Sequence, residues 1–223
     1  MRTFKIWNLV LLMSAFFILT AAFEDIKETE QLKKSTEVLA EFGKMKESIP
    51  QDLLRNYEGI VVIPKLINAG LGVGGKHGKG IAMVKLASGK WSDPVFITLT
   101  GGSIGFQIGV QSVDLVLIFK HKGVLTKVKN GDFTLGGDAS VTAGPLGRNA
   151  SASTDHKFDA EIYSYSRSKG VFAGISINGS NLSIDKSANA KLYGKGVTAL
   201  AIFDSGSNTD PAVKHLKATL TSL

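Results

Sequence analysis

The chain contains 223 residues, of which 43% are hydrophobic and 20% charged, with a formal net charge of +7 and no cysteine. This length suits one domain with a hydrophobic core, or two small ones at most, and the missing cysteines exclude disulfides and a lipid-modified cysteine. The positive charge favours anionic partners such as lipid headgroups, but it is too small for a dedicated nucleic-acid-binding protein, so no nucleic acid is expected.

The first 22 residues have the pattern of a secretory signal peptide. Met1–Lys5 is basic, Ile6–Leu19 is almost wholly apolar, and Thr20–Ala22 offers small residues where a signal peptidase cleaves. The alternative is a retained membrane anchor, but an apolar run of about 14 residues is shorter than the roughly 20 that a spanning helix needs. We therefore predict an exported protein, periplasmic or secreted, that can lie peripherally on a membrane.

Two helices are predicted after this segment. Apolar residues recur at helical spacing through Glu24–Lys46, and Gly43 lies near the expected end. Ile49–Arg55 has Pro50 in its first turn and Asp52 near its amino end, and both features favour a helix start.

From Gly59 to Asp185 the chain is rich in Val, Ile, Thr, Ser and Gly, and several runs alternate with the period of a β-strand. Strands are predicted at Ile104–Val110, Asp114–Phe119, Phe172–Gly179 and Ser176–Ile184, with tight turns at Asn130-Gly131 and Arg167–Gly170. Short helices return at Asp185–Leu192 and Pro211–Leu220, the second capped by Asp210. This order indicates an α+β fold, and residues 23–223 are predicted to form a single domain.

The segment Asn68–Gly80, NAGLGVGGKHGKG, partly matches two phosphate-binding loops. A P-loop requires Ser or Thr after its lysine, but His77 follows Lys76. Both loops also require a helix directly after the glycines, whereas two more glycines and strand-like residues follow here. Asp93, at the distance of a ribose ligand, lies in a turn. A nucleotide site is therefore not expected.

Glycines in a strand explain this segment better. They leave one face without side chains, which permits close approach of another backbone, a bulge or sharp curvature. The same device recurs at Gly101–Gly109 and around Gly170–Gly179. The prediction is a strongly curved antiparallel sheet or partial barrel, whose smooth face takes a crossing helix or an acyl chain. A membrane helix over Val95–Phe119 is the alternative, but its glycines and β-branched residues disfavour it.

Several motifs together resemble the SYLF family over residues 27–222. They are Ile63–Ile67 with the glycine segment, WSDPVFITL at Trp91–Leu99, GSIGFQIG at Gly102–Gly109 with Asp114-Leu-Val, IYSYSRSKGVFAG at Ile162–Gly174, and Tyr193-Gly194. Eukaryotic members resemble lipid-binding modules that prefer phosphoinositides, and a yeast member bundles actin through attached regions. This chain resembles a bacterial, exported member. The resemblance implies lipid binding without enzyme activity, and neither actin nor phosphoinositides are expected in a bacterial envelope.

Residues that could catalyse a reaction or bind a metal are sparse. The four histidines, His77, His121, His156 and His215, lack metal-ligand spacing, and there is no cysteine. Asp155-His156 is a possible acid and base pair, but such pairs are usually solvated. We predict no enzyme activity, no cofactor and no metal.

Basic residues are the best candidates for binding. Those considered are Lys65, Lys76, His77, Lys79 and Lys85 near the glycine segment, Lys120, Lys122, Lys127 and Lys129 in a second group, and Arg167 and Lys169 at a turn. Any one of them is more often a solvated surface residue, but together they could bind an anionic phospholipid or a phosphoinositide-type headgroup. Candidates for apolar insertion are Phe133 and Leu135, or Leu146, although residues of this kind more often belong to the core. The alternative function is a structural or protein-interaction module of the envelope, without a lipid ligand.

Overall fold

The computed structural model describes residues 27–45, 49–128, 133–144, 160–168, 171–172 and 175–223, with the backbone alone for residues 71–73 and 103–108. Several predictions fall outside these residues: the signal peptide, the Asn130-Gly131 turn, Leu146, the Asp155-His156 pair, Lys129 and Lys169. They stay predictions.

Helices lie at both ends of the described chain, and one more, α3, lies between the second and third strands. They are α1 (residues 27–44), α2 (Gln51–Asn56), α3 (Lys122–Lys127), α4 (Lys186–Tyr193), α5 (Ala199–Phe203) and α6 (Pro211–Thr221). The predicted helices are confirmed as α1, α2, α4 and α6. Asp185 caps α4 by accepting the backbone N–H of Ala188, and Asp210 caps α6 in the same way. The short helices α3 and α5 were not expected.

Between the helices, the described strands form one seven-stranded sheet. They are β1 (Gly59–Val84), β2 (Val95–Phe119), β3 (Phe133–Thr134), β4 (Val141–Ala143), β5 (Ile162–Ser168), β6 (Val171–Phe172) and β7 (Ser180–Ile184). The predicted strands Phe172–Gly179 and Ser176–Ile184 are wrong in their bounds: residues 175–177 are irregular, and Gly179 has φ +76. Gly179 lies in a turn with its φ in the left-handed region, and β7 begins only after it, at Ser180.

The long strand β2 organises the sheet. One of its edges pairs antiparallel with β1 along almost its whole length. Its other edge pairs with β7 over residues 97–101 and with β5 over residues 114–119. The prediction of strands in this segment is therefore confirmed, and the alternative of a membrane helix over Val95–Phe119 is wrong.

The sheet curls so strongly that the two ends of β1 meet, giving a half-barrel. The backbone N–H of Glu58 donates to Phe119 at 2.9 Å, and the N–H of Lys85 donates to the carbonyl of Glu58 at 2.8 Å. The start of β1 thereby crosses its own later part. An ideal Cβ on Gly80 would lie 2.2 Å from the Val62 carbonyl oxygen, so only glycine permits this crossing.

The curl gives the sheet an inner and an outer face, and successive residues alternate between them. Val61 and Ile63 belong to the inner core, which α3 and α5 fill. Ile60 and Val62 belong to the outer core, which α1, α2 and α6 cover. Side chains from α3, α5 and the strands meet at the centre of the inner core without room for a water molecule. The centre of the inner core therefore has no space for an acyl chain. The face that Gly78 and Gly80 leave without side chains packs against the earlier part of β1.

Candidate functional site

The glycine-rich parts of β1 and β2 form a two-stranded ribbon that bends back on itself. We define the ribbon as residues 66–75 of β1 paired with residues 102–113 of β2. An ideal Cβ on Gly78 would lie 3.2 Å from the Cα of Leu66, so the chain leaves the sheet at Leu66 and returns beside it at Gly78. Among the described residues, no third strand pairs with the ribbon between residues 102 and 113.

Two register shifts produce the bend. Leu71 pairs with Ile108 whereas Gly72 pairs with Gly105, so β2 carries extra residues at the middle of the ribbon. A second shift lies between Ile63 and Leu66 at the ribbon's base. Extra residues in one strand bend it and increase its twist.

The ribbon is uncharged and exposes apolar side chains. Its sequence contains no Asp, Glu, Lys, Arg or His before Lys76. Val110 is 76% exposed and Ile67 is 40% exposed, which makes them two of the few large apolar side chains exposed in the described structure. The predicted insertion residues Phe133 and Leu135 are instead buried in the inner core, so that prediction is wrong. They pack inward because β3 pairs with β7 and closes the sheet edge.

Lys65 lies at the base of the ribbon, in the second register shift. It is exposed, has φ +55, and its backbone N–H donates to Asp114 at 3.1 Å. It acts electrostatically on Glu30 of α1: the hydrogen bond and charge of Lys34 lower the pKa of the Glu30 carboxyl most, and Lys65 and Lys33 lower it further. Sequence reasoning missed these two α1 lysines, since nothing in the sequence shows that α1 crosses β1.

Lys79 also lies at the base of the ribbon, next to α1. Its amine donates to Asp185 at 2.7 Å, and its carbonyl accepts a hydrogen bond from Gln31 of α1 at 2.9 Å. The side chain is still half exposed. We call Lys33, Lys34, Lys65 and Lys79 the α1 patch.

Lys76 and His77 mark where β1 leaves the ribbon, and they point to opposite faces. His77 is exposed, whereas Lys76 is only 7% exposed. Burial lowers the pKa of the Lys76 amine. The sequence groups Lys76 with the exposed lysines, but the fold turns it inward.

Two of the predicted lipid-binding cations are engaged within the protein. Lys85 donates to the carbonyls of Leu54 and Arg55 at 2.6 and 2.8 Å and stacks on a tryptophan ring. Arg167 binds Asp114 at 2.9 Å and Glu41 at 3.1 Å, and its side chain is only 12% exposed. These contacts indicate a structural role for both side chains.

The second predicted group lies around α3, where Lys122 and Lys127 are exposed and Lys120 is half-buried. Glu58 interacts with this group and with Lys85. It accepts the N–H of Lys122 at 3.0 Å, and although burial lowers the pKa of Lys85, the Glu58 carboxylate raises it. The fold therefore groups the cations differently from the sequence: Lys85 lies with the α3 group, and Arg167 shares Asp114 with Lys65.

The structure places a strand after Gly75, as expected, so the glycines open no helix that could bind a nucleotide phosphate. Asp93 is buried, where it binds Lys217 and the backbone of Asn208. Within the described residues, no group of three or more His, Asp or Glu side chains is arranged to hold a metal ion. In the same residues, no helix has the length and apolar character needed to cross a bilayer.

Comparison with known proteins gives consistent matches. The family described as "Ysc84: Las17-binding protein actin regulator" matches residues 100–223. LAS seventeen-binding protein 3 of Saccharomyces cerevisiae is 35% identical over 201 residues, covering 86% of this chain and 44% of that protein.

Two vertebrate proteins, both named SH3 domain-containing YSC84-like protein 1, are also similar. The Xenopus laevis protein is 38% identical over 173 residues, which are 77% of this chain and 51% of its own. The Homo sapiens protein is 35% identical over 179 residues, which are 77% of this chain and 52% of its own. The chain spans about half the length of these relatives. Because the match extends over most of its residues, the chain belongs to the Ysc84 family, the SYLF family that its motifs resemble.

Proposed function

We propose that this protein is a non-enzymatic, exported lipid-binding domain that contacts anionic membranes through the ribbon and the α1 patch. The observation that carries the proposal is an uncharged ribbon, exposing Val110 and Ile67, whose base is bordered by lysines. Membrane-surface proteins combine these two features, since apolar groups enter the interface while cations stay at headgroup level. The single domain of residues 23–223 and the envelope location belong to the same proposal.

The electrostatic contribution is modest. Each lysine close to an anionic surface contributes about 1 kcal/mol, so Lys33 and Lys65 together supply about 2 kcal/mol. Burying the exposed part of Val110 adds roughly 1.5 kcal/mol. The sum corresponds to an enrichment at the membrane of several hundredfold. This supports reversible contact that salt weakens, because exposed charges are screened.

Vesicle co-flotation tests the electrostatic part. The variant Lys33→Glu/Lys65→Glu should bind phosphatidylglycerol-containing vesicles at least about tenfold less than wild type, from the loss of about 2 kcal/mol and added repulsion. The matched control is Lys122→Glu/Lys127→Glu, which changes the net charge equally at the exposed α3 lysines. Equal losses in both variants would show that net charge alone drives binding, and the proposed surface would then be wrong.

Apolar insertion has its own matched pair of variants. Val110→Asp introduces a charge on the ribbon, whereas Val171→Asp introduces the same charge on β6, at a side chain that is 65% exposed. Only the first should reduce flotation. A signal equal to wild type in Val110→Asp, or no flotation of the wild type at low salt, would overturn the proposal.

Protein binding is the alternative function, and the names of the relatives favour it. One relative is named for binding Las17, and the others are named for an SH3 domain. In this chain the ribbon could pair with a partner strand, because exposed strand edges bind extended peptides. Crosslinking in cells through a photoreactive residue at position 110 separates the two functions: a single dominant protein adduct without lipid retention would favour this one.

A further inference from the structure

A cavity lies where the ends of three outer helices meet. It has a volume of about 170 Å³, and among the described residues it is lined by Phe42, Gly43, Ile49, Gln51, Leu54, Ser222 and Leu223. The last turn of α1, the first residues of α2 and the C-cap of α6 all contribute to it. We call it the helix-end cavity. It is separate from the ribbon and from the α1 patch, because no lining residue belongs to either.

The size of the helix-end cavity suits a single small ring. One water molecule needs roughly 10–15 Å³ of cavity volume, and an engineered cavity of about 150 Å³ in another protein binds benzene. A volume of about 170 Å³ therefore has room for a six-membered ring with a small substituent.

The apolar part of the cavity is held in place by the fold. Phe42 is 1% exposed, and its ring contacts the Phe172 ring edge-on, with 6.0 Å between the centroids. The Arg167 guanidinium lies over the same ring, 5.6 Å from its centre. Leu54 and Leu223 are half-buried beside it. A wall that is already ordered loses little conformational entropy when a ligand binds, and an aromatic wall favours an aromatic ligand.

Two polar side chains, Gln51 and Ser222, lie at the exposed rim. The Ser222 hydroxyl donates to the carbonyl of Thr219 at 2.8 Å, so its oxygen can still accept a hydrogen bond. The Gln51 side-chain carbonyl accepts from Arg55 at 3.5 Å, which leaves the Gln51 amide N–H groups as donors. A hydroxyl group on a ligand can donate to the first and accept from the second.

The described lining residues include no charged side chain. A charged ligand would lose hydration in the cavity without gaining an ion pair, and this costs free energy. The cavity therefore favours a neutral ligand over an anion or a cation of the same shape.

We propose that the helix-end cavity binds a small neutral aromatic compound that carries a hydroxyl group, of the phenol class. The ring packs against Phe42 between Leu54 and Leu223, and the hydroxyl group bonds to Ser222 and Gln51. The site does not require the membrane contact proposed above. Because such a ligand binds only the folded state, it stabilises the junction of α1, α2 and α6.

NMR titration of the wild type with phenol tests the site directly. Phenol should give saturable shifts of the amide signals of Gly43 and Leu223, and should leave the signal of Gly89, in an exposed turn, unmoved. Nuclear Overhauser contacts should join the phenol ring to the Leu223 methyl groups. Benzoate has the same ring with a negative charge, and it should bind at least about tenfold more weakly.

A matched pair of variants provides the second test. Ser222→Trp places an indole at the rim of the cavity and should abolish the saturable shift of Gly43. Thr221→Trp introduces the same side chain at a neighbouring exposed residue that does not line the cavity, and it should keep the wild-type response. No saturable shift in the wild type, equal binding of benzoate, or unchanged phenol binding in Ser222→Trp would each refute the site, whatever the vesicle assays show.

Discussion

Gly80→Ala should destabilise the protein far more than a glycine-to-alanine change elsewhere in the same segment. The new methyl group would lie 2.2 Å from the Val62 carbonyl oxygen and 3.0 Å from the Cα of Ile63. Both are backbone atoms in the core, so neither can rotate away. Overpacking a core costs about 1–3 kcal/mol, and we expect a value near 3 kcal/mol here. Alanine restricts the unfolded chain and regains about 0.4–1 kcal/mol, which leaves a net loss of about 2 kcal/mol or more.

Gly75→Ala is the matched control for this prediction. Its ideal Cβ meets only a carbonyl oxygen at 3.8 Å, which is ordinary contact. The unfolding free energy of the control should lie within about 0.5 kcal/mol of the wild-type value, or slightly above it. Urea unfolding followed by circular dichroism gives both free energies, and Gly80→Ala should also lower the Tm by about 4–8 °C. If the two variants were equally stable, β1 would not cross itself at Gly80, and our account of the curl would be refuted.

Three further predictions concern the ion pairs. Burial raises the pKa of Asp185, but the hydrogen bond from Lys79 and a backbone N–H outweigh it and hold the pKa below 3.8; its stabilisation is therefore present at neutral pH and lost on acidification below about pH 5. Asp185→Asn, which keeps a capping oxygen, should flatten the dependence of unfolding free energy on pH in that range, and an unchanged slope would contradict this. Lys217→Met leaves the buried Asp93 carboxylate without its cation and should lower the unfolding free energy, measured in urea, by about 3 kcal/mol. A loss below about 1 kcal/mol would show that backbone donors alone can stabilise this carboxylate. Arg167→Lys should lower the unfolding free energy by about 1–2 kcal/mol without reducing vesicle flotation. Unchanged stability with reduced flotation would instead make Arg167 a lipid ligand.

The sequence predicts much of the fold because local chemistry determines it. Alternating apolar residues indicate the strands, and the caps Asp185 and Asp210 fix where α4 and α6 begin. The helices α3 and α5 escape such reasoning, because five or six residues are too few to show a helical period. Tertiary packing against the inner core decides them instead.

The candidate site is less predictable, because cations that are neighbours in sequence need not be neighbours in space. Lys76 and His77 are adjacent in the chain, yet strand alternation buries one and exposes the other. Lys65 and Lys79 come beside α1 only through the fold, where Lys65 acts on Glu30 and the Lys79 carbonyl accepts a hydrogen bond from Gln31. Composition can therefore indicate an anionic partner, but only the sheet register shows which lysines can reach it.

Glycines of β1 and β2 that look alike in the sequence have different roles in the fold. An added methyl group at Gly78 or Gly80 would meet the earlier part of β1 within 3 Å, and one at Gly101 would meet Ser180 of β7, so packing requires glycine at all three positions. Gly75 and Gly102 have no such contact, and both are exposed on the ribbon. Packing does not explain glycine at these two positions. A strand of glycines pays in conformational entropy, and a ribbon that must bend, or change shape against a surface, is a physical reason to retain it. The open glycines therefore favour function in the ribbon, and the contacting glycines form the support that holds it in place.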